Sequence, residues 1–273
     1  PVVDGTPAFT WGLSPYLQLI VFNGNAPVQA DFGLSLRAHY EISPNLVLNG
    51  GIRQSVLGKR ELAEVFQTEN NYPDVRTSGG AYGIDGKPII TDLTLIHYGR
   101  PAADLYSRVS VGYLERMYGG VSTEVLWKPV DSRLALGAEL NYAIQRDTDM
   151  LLGFQDFDAM TGHVSAYYSF DSGFHGQVDM GRYLAGDWGA TFALDREFDN
   201  GWKVGAYFTL TDMPFEEFGE GSFDKGIRIT VPTDFFLGNA SRREVSTSLA
   251  SLTRDGGARV NVDGRLYNIV RDG

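Results

Sequence analysis

The sequence predicts an all-β fold, an antiparallel up-and-down transmembrane β-barrel of about 12 to 14 strands. Three observations predict it. Apolar and polar residues alternate with a period of two along many runs. Short turn signals are interspersed with longer polar loops. No stretch of about 18 apolar residues could span a membrane as a helix. The strand count follows from 273 residues at roughly 20 residues per strand and connection. Residues 1–273 read as a single barrel domain, alone or as part of a larger or double barrel.

Successive strand residues point to opposite faces, so each run sorts into two sets. A weak run at 16–22 opens the series. In residues 30–41 one face is Ala30, Phe32, Leu34, Leu36, Ala38 and Tyr40; the other is Asp31, Gly33, Ser35, Arg37, His39 and Glu41. Weaker alternation covers 45–57, 75–84, 88–99, 105–116 and 121–128. Residues 134–145 set Leu134, Leu136, Ala138, Leu140, Tyr142 and Ile144 against a face carrying Glu139, Asn141 and Gln145. Val164, Ala166, Tyr168 and Phe170 repeat the pattern, and weaker runs follow at 175–184 and 190–196. Trp202, Val204, Ala206, Phe208 and Leu210 form another apolar face; Ile227, Ile229 and Val231 form the next, and 244–252 closes the series.

Turn chemistry separates the runs. Asn23-Gly24-Asn25, Ser43-Pro44-Asn45, Asp85-Gly86, Pro129–Ser132, Asp171-Ser172-Gly173 and Asp199-Asn200-Gly201 read as hairpin turns. Longer polar stretches lie at 58–74, 146–160 and 212–224, and Lys59–Phe66 carries a short helical pattern.

Alternation alone leaves two architectures open. In a sandwich the apolar faces meet one another; in a membrane barrel they face lipid, and the polar faces line a lumen. Three details favour the barrel. The runs often exceed the usual five or six residues of soluble strands. The polar faces carry mixed charge with little lysine, at Arg37, Glu41, Arg53, Arg108, Glu139, Asp179, Arg182, Asp195 and Arg228. Tyr40, Trp127, Tyr142, Phe170 and Trp202 sit near the ends of apolar faces, as in an interfacial girdle.

Composition narrows the function classes. The chain has no cysteine, so disulfides and thiolate metal sites are excluded. Its net charge is −11, which disfavours nucleic acid as a partner. Thirty-three glycines and 16 phenylalanines speak against disorder. The first residue is Pro1, and no signal-peptide pattern follows it. The chain therefore reads as a mature form or a fragment of a longer one.

Several segments resemble one family. They are Gly112-Tyr-Leu-Glu-Arg-Met-Tyr-Gly-Gly120 with Glu124-Val-Leu-Trp127, Ala135–Tyr142 with Gln145-Arg146-Asp147, and Gly181–Thr191. Val204–Pro232, Thr253–Arg259 and Gly264-Arg265-Leu266-Tyr267 complete the set. Together they resemble the YjbH/GfcD family of exopolysaccharide and capsule biosynthesis proteins. The resemblance is strongest from about 103 to 267 and implies the C-terminal part of a longer lipoprotein. It implies a Gram-negative outer-membrane β-barrel that takes part in polysaccharide secretion. The implied partners are polysaccharide, outer-membrane lipid, and periplasmic and exporter proteins of the same pathway.

The candidate contacts are the charged and aromatic residues of the lumenal faces: Arg37, Arg53, Arg108, Glu139, Asp179, Arg182, Tyr183, Asp187, Trp188 and Arg228. Arg182, Tyr183, Asp187 and Trp188 suit a sugar, whose apolar ring face stacks while its hydroxyls bond charged groups. A turn with an interfacial Trp and a lumenal ion pair is the simpler alternative. Glu216, Glu217, Glu220 and Asp224 form an acidic loop without Ca²⁺-loop spacing or a defined catalytic carboxylate pair. Phe215, Phe218 and Phe223 would anchor that loop to the rim. Asp255-Gly256-Gly257, flanked by Arg254 and Arg259, only superficially resembles a phosphate cradle and reads as a hairpin or periplasmic loop. His39, His97, His163 and His175 share no ligand spacing. No cofactor, metal or enzymatic activity is expected. The resulting expectation is a passive hydrated path or an export accessory; the alternatives are a periplasmic polysaccharide-binding β-sandwich and a carbohydrate-active enzyme.

Overall fold

A computed structural model describes residues 8–23, 26–57, 72–198, 200–214, 223–232, 244–250 and 255–272. Among the described residues thirteen strands form one antiparallel sheet in which each strand pairs with the next in sequence. They are β1 (Ala8–Asn23), β2 (Ala26–Ser43), β3 (Leu46–Leu57), β4 (Ile89–Ala102), β5 (Leu105–Tyr113), β6 (Tyr118–Trp127) and β7 (Leu134–Arg146). Then follow β8 (Phe154–Ser169), β9 (Phe174–Arg182), β10 (Trp188–Glu197), β11 (Lys203–Thr211), β12 (Asp224–Pro232) and β13 (Glu244–Ala250). Among the described residues one α-helix, α1 (Leu266–Asp272), follows the sheet. Among the described residues no ladder joins β1 to β13.

The alternation resolves into an inside-out distribution. Phe32, Leu36, Leu136 and Phe208 are 41%, 39%, 45% and 40% exposed. The intervening Asp31, Ser35, Glu139 and Thr209 are buried. The apolar face of the sheet thus looks outward and the polar face looks inward, the reverse of a sandwich.

The inward face is not empty. Residues 72–88 and 255–272 lie against it and divide the interior into layers. At one rim Val75, Tyr82, Leu114, Met117, Tyr118, Met150, Leu184 and Val260 pack into an apolar cluster. At the other end Leu126, Ala135 and Tyr167 pack against Leu266 and Tyr267 of α1. Tyr267 stacks on Tyr167 with ring centres 3.9 Å apart and planes 11° from parallel. Along β6 the order is Tyr118, Ser122, Glu124, Leu126. A polar layer therefore separates the two apolar ones.

Three expectations are corrected. Residues 75–84 are not a strand: Thr77–Ala81 is a 3-10 turn, and Asp85-Gly86 lies within the same long connection. The Asp255 carboxylate explains why this segment turns inward. It accepts the backbone N–H groups of Val75, Arg76 and Thr77 at 2.8, 2.7 and 3.1 Å. By the same contacts residues 255–259, within the stretch expected to form a hairpin or periplasmic loop, do not form a hairpin but pack into the interior, while 253 and 254 lie outside the described residues. Finally, the polar stretch 146–160 is strand from Phe154 onward, because its pairing with β7 runs to Arg146. The helical pattern at Lys59–Phe66 and the acids Glu216, Glu217 and Glu220 lie outside the described residues.

Close strand contact explains one glycine in particular. Gly120 has φ +137°, and a Cβ there would sit 2.0 Å from the Tyr142 carbonyl oxygen. At Gly137 the nearest atom would be 3.5 Å away. Gly120→Ala should therefore lower stability by about 1–3 kcal/mol, read as a lower midpoint of thermal unfolding in detergent. Gly137→Ala should leave the midpoint nearly unchanged.

Candidate functional site

Antiparallel register builds a belt of polar residues around the interior. Tyr98 of β4 faces Arg108 of β5, Arg108 faces Glu124 of β6, Glu124 faces Glu139 of β7, and Glu139 faces His163 of β8. Two carboxylates side by side repel one another and require cations. Arg108 supplies one, donating from Nε to Glu124 at 2.9 Å and approaching Glu139 at 3.6 Å. Ser110 and Ser122 accept its remaining donors.

The wall alone leaves this belt acidic, and the interior segment neutralises it. Arg265 donates from Nε and Nη2 to the two oxygens of Glu139 at 2.8 and 3.1 Å. Arg259 reaches Asp179 at 2.8 Å and Glu139 at 3.4 Å. The backbone N–H of Leu266 donates to Glu124, where the first turn of α1 presents an unpaired amide. Three guanidinium groups thus meet three carboxylates in a buried network shared by wall and interior.

Nearer the rim, Arg146 is fully buried. It donates to the carbonyls of Ile90, Glu115 and Met150 at 2.8, 2.9 and 3.0 Å. It thereby ties together backbone groups of β4, the β5–β6 turn and the β7–β8 connection. Beside it, Arg37, Arg53, Asp92 and Asp263 line a cavity of about 230 Å³.

The predicted site residues divide by face. Arg108, Glu139 and Asp179 belong to the buried network. Arg37 pairs with Asp92 at 3.3 Å, and Arg53 lies over the Tyr16 ring. Arg228 is exposed, 3.8 Å from Asp195. The 181–191 group does not act as one site. Arg182 and Trp188 are register partners at the ends of β9 and β10, and both are exposed. Arg182 shares its parity with outward Met180, so its expected lumenal position is corrected to the outer face. Tyr183 and Asp187 are buried. Tyr183 shares a hydrogen bond with Thr191 at 2.7 Å, and Asp187 accepts the Gly257 N–H at 2.8 Å. Residues missed from sequence are Arg259 and Arg265, because their segment shows no strand alternation to assign it to the interior.

Burial raises the Tyr183 hydroxyl to about 12 and raises the Asp187 carboxyl above its ordinary value of 3.8, partly offset by the Gly257 N–H. Among the described residues no group of three or more His, Asp or Glu side chains is placed to hold a metal ion.

The profile of the YjbH exopolysaccharide biosynthesis proteins matches residues 2–272. The chain belongs to this family. The uncharacterized lipoprotein YjbH of Escherichia coli (strain K12) is 36% identical over 209 residues, 75% of this chain and 30% of that protein. This YjbH-family chain therefore spans less than a third of that relative's length. A solved OmpF of Salmonella typhi, in complex with daunomycin, aligns over 94% of this chain and 95% of its own, with a TM-score of 0.46 and 12% identity.

Two predictions follow from the wall–interior contacts. Arg265→Ala leaves Glu139 with less positive charge in a buried site and should cost about 3–5 kcal/mol. Limited proteolysis should then cut 255–272 faster, and Glu139→Gln with Arg265→Gln should restore much of the protection. The second concerns pH. A native Asp187 with a raised pKa holds its proton more tightly than the unfolded chain does. The stability gained from that proton is full below 3.8 and is lost as pH rises through the native value. Asp187→Asn stays neutral, so its unfolding midpoint should fall less than the parent's over that rise.

Proposed function

We propose that this chain is a β-barrel of the outer membrane of a Gram-negative bacterium that serves exopolysaccharide secretion without catalysing a reaction. One observation carries the membrane reading: large apolar side chains are exposed along the outer face while charged ones are buried inside. Water would penalise that surface, whereas hydrocarbon suits it. Membership of the family supports the polysaccharide pathway, and the relative's description as a lipoprotein supports the envelope.

The filled interior supports the accessory form of this reading over an open path. An open hydrated path would need a lumen lined by solvated charge. Here Glu124, Glu139 and Asp179 are already engaged by Arg108 of the wall and by Arg259, Arg265 and the Leu266 amide of the interior segment. We therefore read the chain as an occluded barrel that contacts polymer and pathway proteins, an accessory to export. The same engagement disfavours a glycosidase, which needs one carboxylic acid and one carboxylate free to flank a glycosidic bond. A polysaccharide-binding sandwich would require two packed sheets; the described strands form one.

Leu140, which is 54% exposed on the outer face beside inward Glu139, supplies the test. Leu140→Arg should cost about 2–4 kcal/mol if it faces hydrocarbon near the midplane. The expected result is loss of the heat-modifiable folded band in detergent and of membrane-fraction protein. A folded, monomeric chain in detergent-free buffer, indifferent to this substitution, would overturn the membrane reading.

A further inference from the structure

The cavity near the rim has a composition that the buried network does not use. It is formed by Tyr16 of β1, Arg37 of β2, Arg53 of β3, Asp92 of β4, Arg116 of the β5–β6 turn and Asp263 of the interior segment. Aliphatic side chains of the rim cluster line it as well. Its volume of about 230 Å³ lies below the roughly 300–1,000 Å³ of drug-sized sites, a size suited to one sugar unit. The Arg37 side chain is 63% exposed, so the cavity communicates with water.

The charges there are unequal in their commitments. Arg37 is paired with Asp92. Glu115, also in the lining, is held by Arg76 at 2.7 Å. Arg116 donates to the Tyr82 carbonyl. Arg53 is different. Its guanidinium lies 4.8 Å from the centre of the Tyr16 ring, and among the described residues it forms no ion pair. A guanidinium resting on an aromatic face keeps its planar fork of donors available, and that fork matches a carboxylate in bidentate geometry. The acceptors Asp92 and Asp263 line the same cavity, and such groups suit sugar hydroxyls.

We propose that this cavity binds a carboxylate-bearing sugar unit, a uronate residue of the exopolysaccharide, with Arg53 receiving the carboxylate. The inference rests on the polysaccharide reading above and adds the charge of the unit recognised. A neutral sugar leaves the Arg53 fork without its anion, so the site discriminates by charge as well as by shape. Arg53→Lys would keep the charge and lose the fork.

The test uses the full-length protein in detergent micelles, titrated by calorimetry with an oligogalacturonate and with a neutral malto-oligosaccharide of equal length. The expected result is at least tenfold tighter binding of the acidic probe, weakened by added salt. Arg53→Gln should lose at least tenfold in affinity for the acidic probe, Arg53→Lys should fall between, and both should retain the heat-modifiable folded band. Equal affinity for the two probes, no binding of the acidic probe, or unchanged acidic binding by Arg53→Gln overturns the inference. Secretion in cells separates this failure from that of the underlying reading. If deleting the protein leaves exopolysaccharide secretion intact, the polysaccharide reading falls and this inference falls with it. If deletion abolishes secretion while the probes bind equally, only the uronate assignment falls.

Discussion

Neutralising buried charge is the constraint on which the rest of this structure depends. Register places Glu124 directly beside Glu139 inside the sheet, and Asp179 lies on the same inward face. Arg108 is the wall's own answer, and it leaves the belt acidic. An isolated buried carboxylate is costly, so the belt needs either water or further cations. The chain supplies cations from its own C-terminal segment, through Arg259 and Arg265. Charge balance therefore couples the conformation of 255–272 to the strands that surround it.

The two apolar layers make that coupling specific. The rim cluster holds Val260 among Val75, Tyr118 and Leu184, while α1 places Tyr267 flat on Tyr167. Ion pairs are tolerant of small displacements, but close-packed rings and aliphatic groups are not. The layers fix the position of the interior segment, and the ionic belt fixes its charge. Arg146, spread over backbone carbonyls from separate connections, performs the equivalent task at the rim, where loop backbone would otherwise lack partners.

This arrangement also explains how a strongly acidic chain can expose so much apolar surface. The usual order of a folded protein is inverted: charge is consumed inside, and the outer face of the sheet carries Leu, Val and Phe. Such a surface suits an apolar medium, which connects the internal network to the proposed membrane location. At the rim the balance is less complete, and Arg53 remains available to an anion from outside the chain.

The sequence by itself determined most of the strands, because a period of two records which residues share a face; it erred at 75–84, which is a connection, and at Phe154–Met160, which is strand. It determined the antiparallel meander too, since short turns at 43–45, 129–132 and 171–173 permit little else, and its extended motifs pointed to the family. Arg108, Glu139 and Asp179 were legible as inward residues for the same reason. Only the tertiary structure decided what fills the interior. Segments 72–88 and 255–272 enter through contacts across as many as 183 positions, as from Arg76 to the Arg259 carbonyl, and distant contacts leave no local pattern. For Arg182 and Trp188 alternation was the right guide, but a motif with a sugar-like composition obscured it. One residue of phase carries a side chain from the lumen to the outer face, because the pleat repeats every second residue.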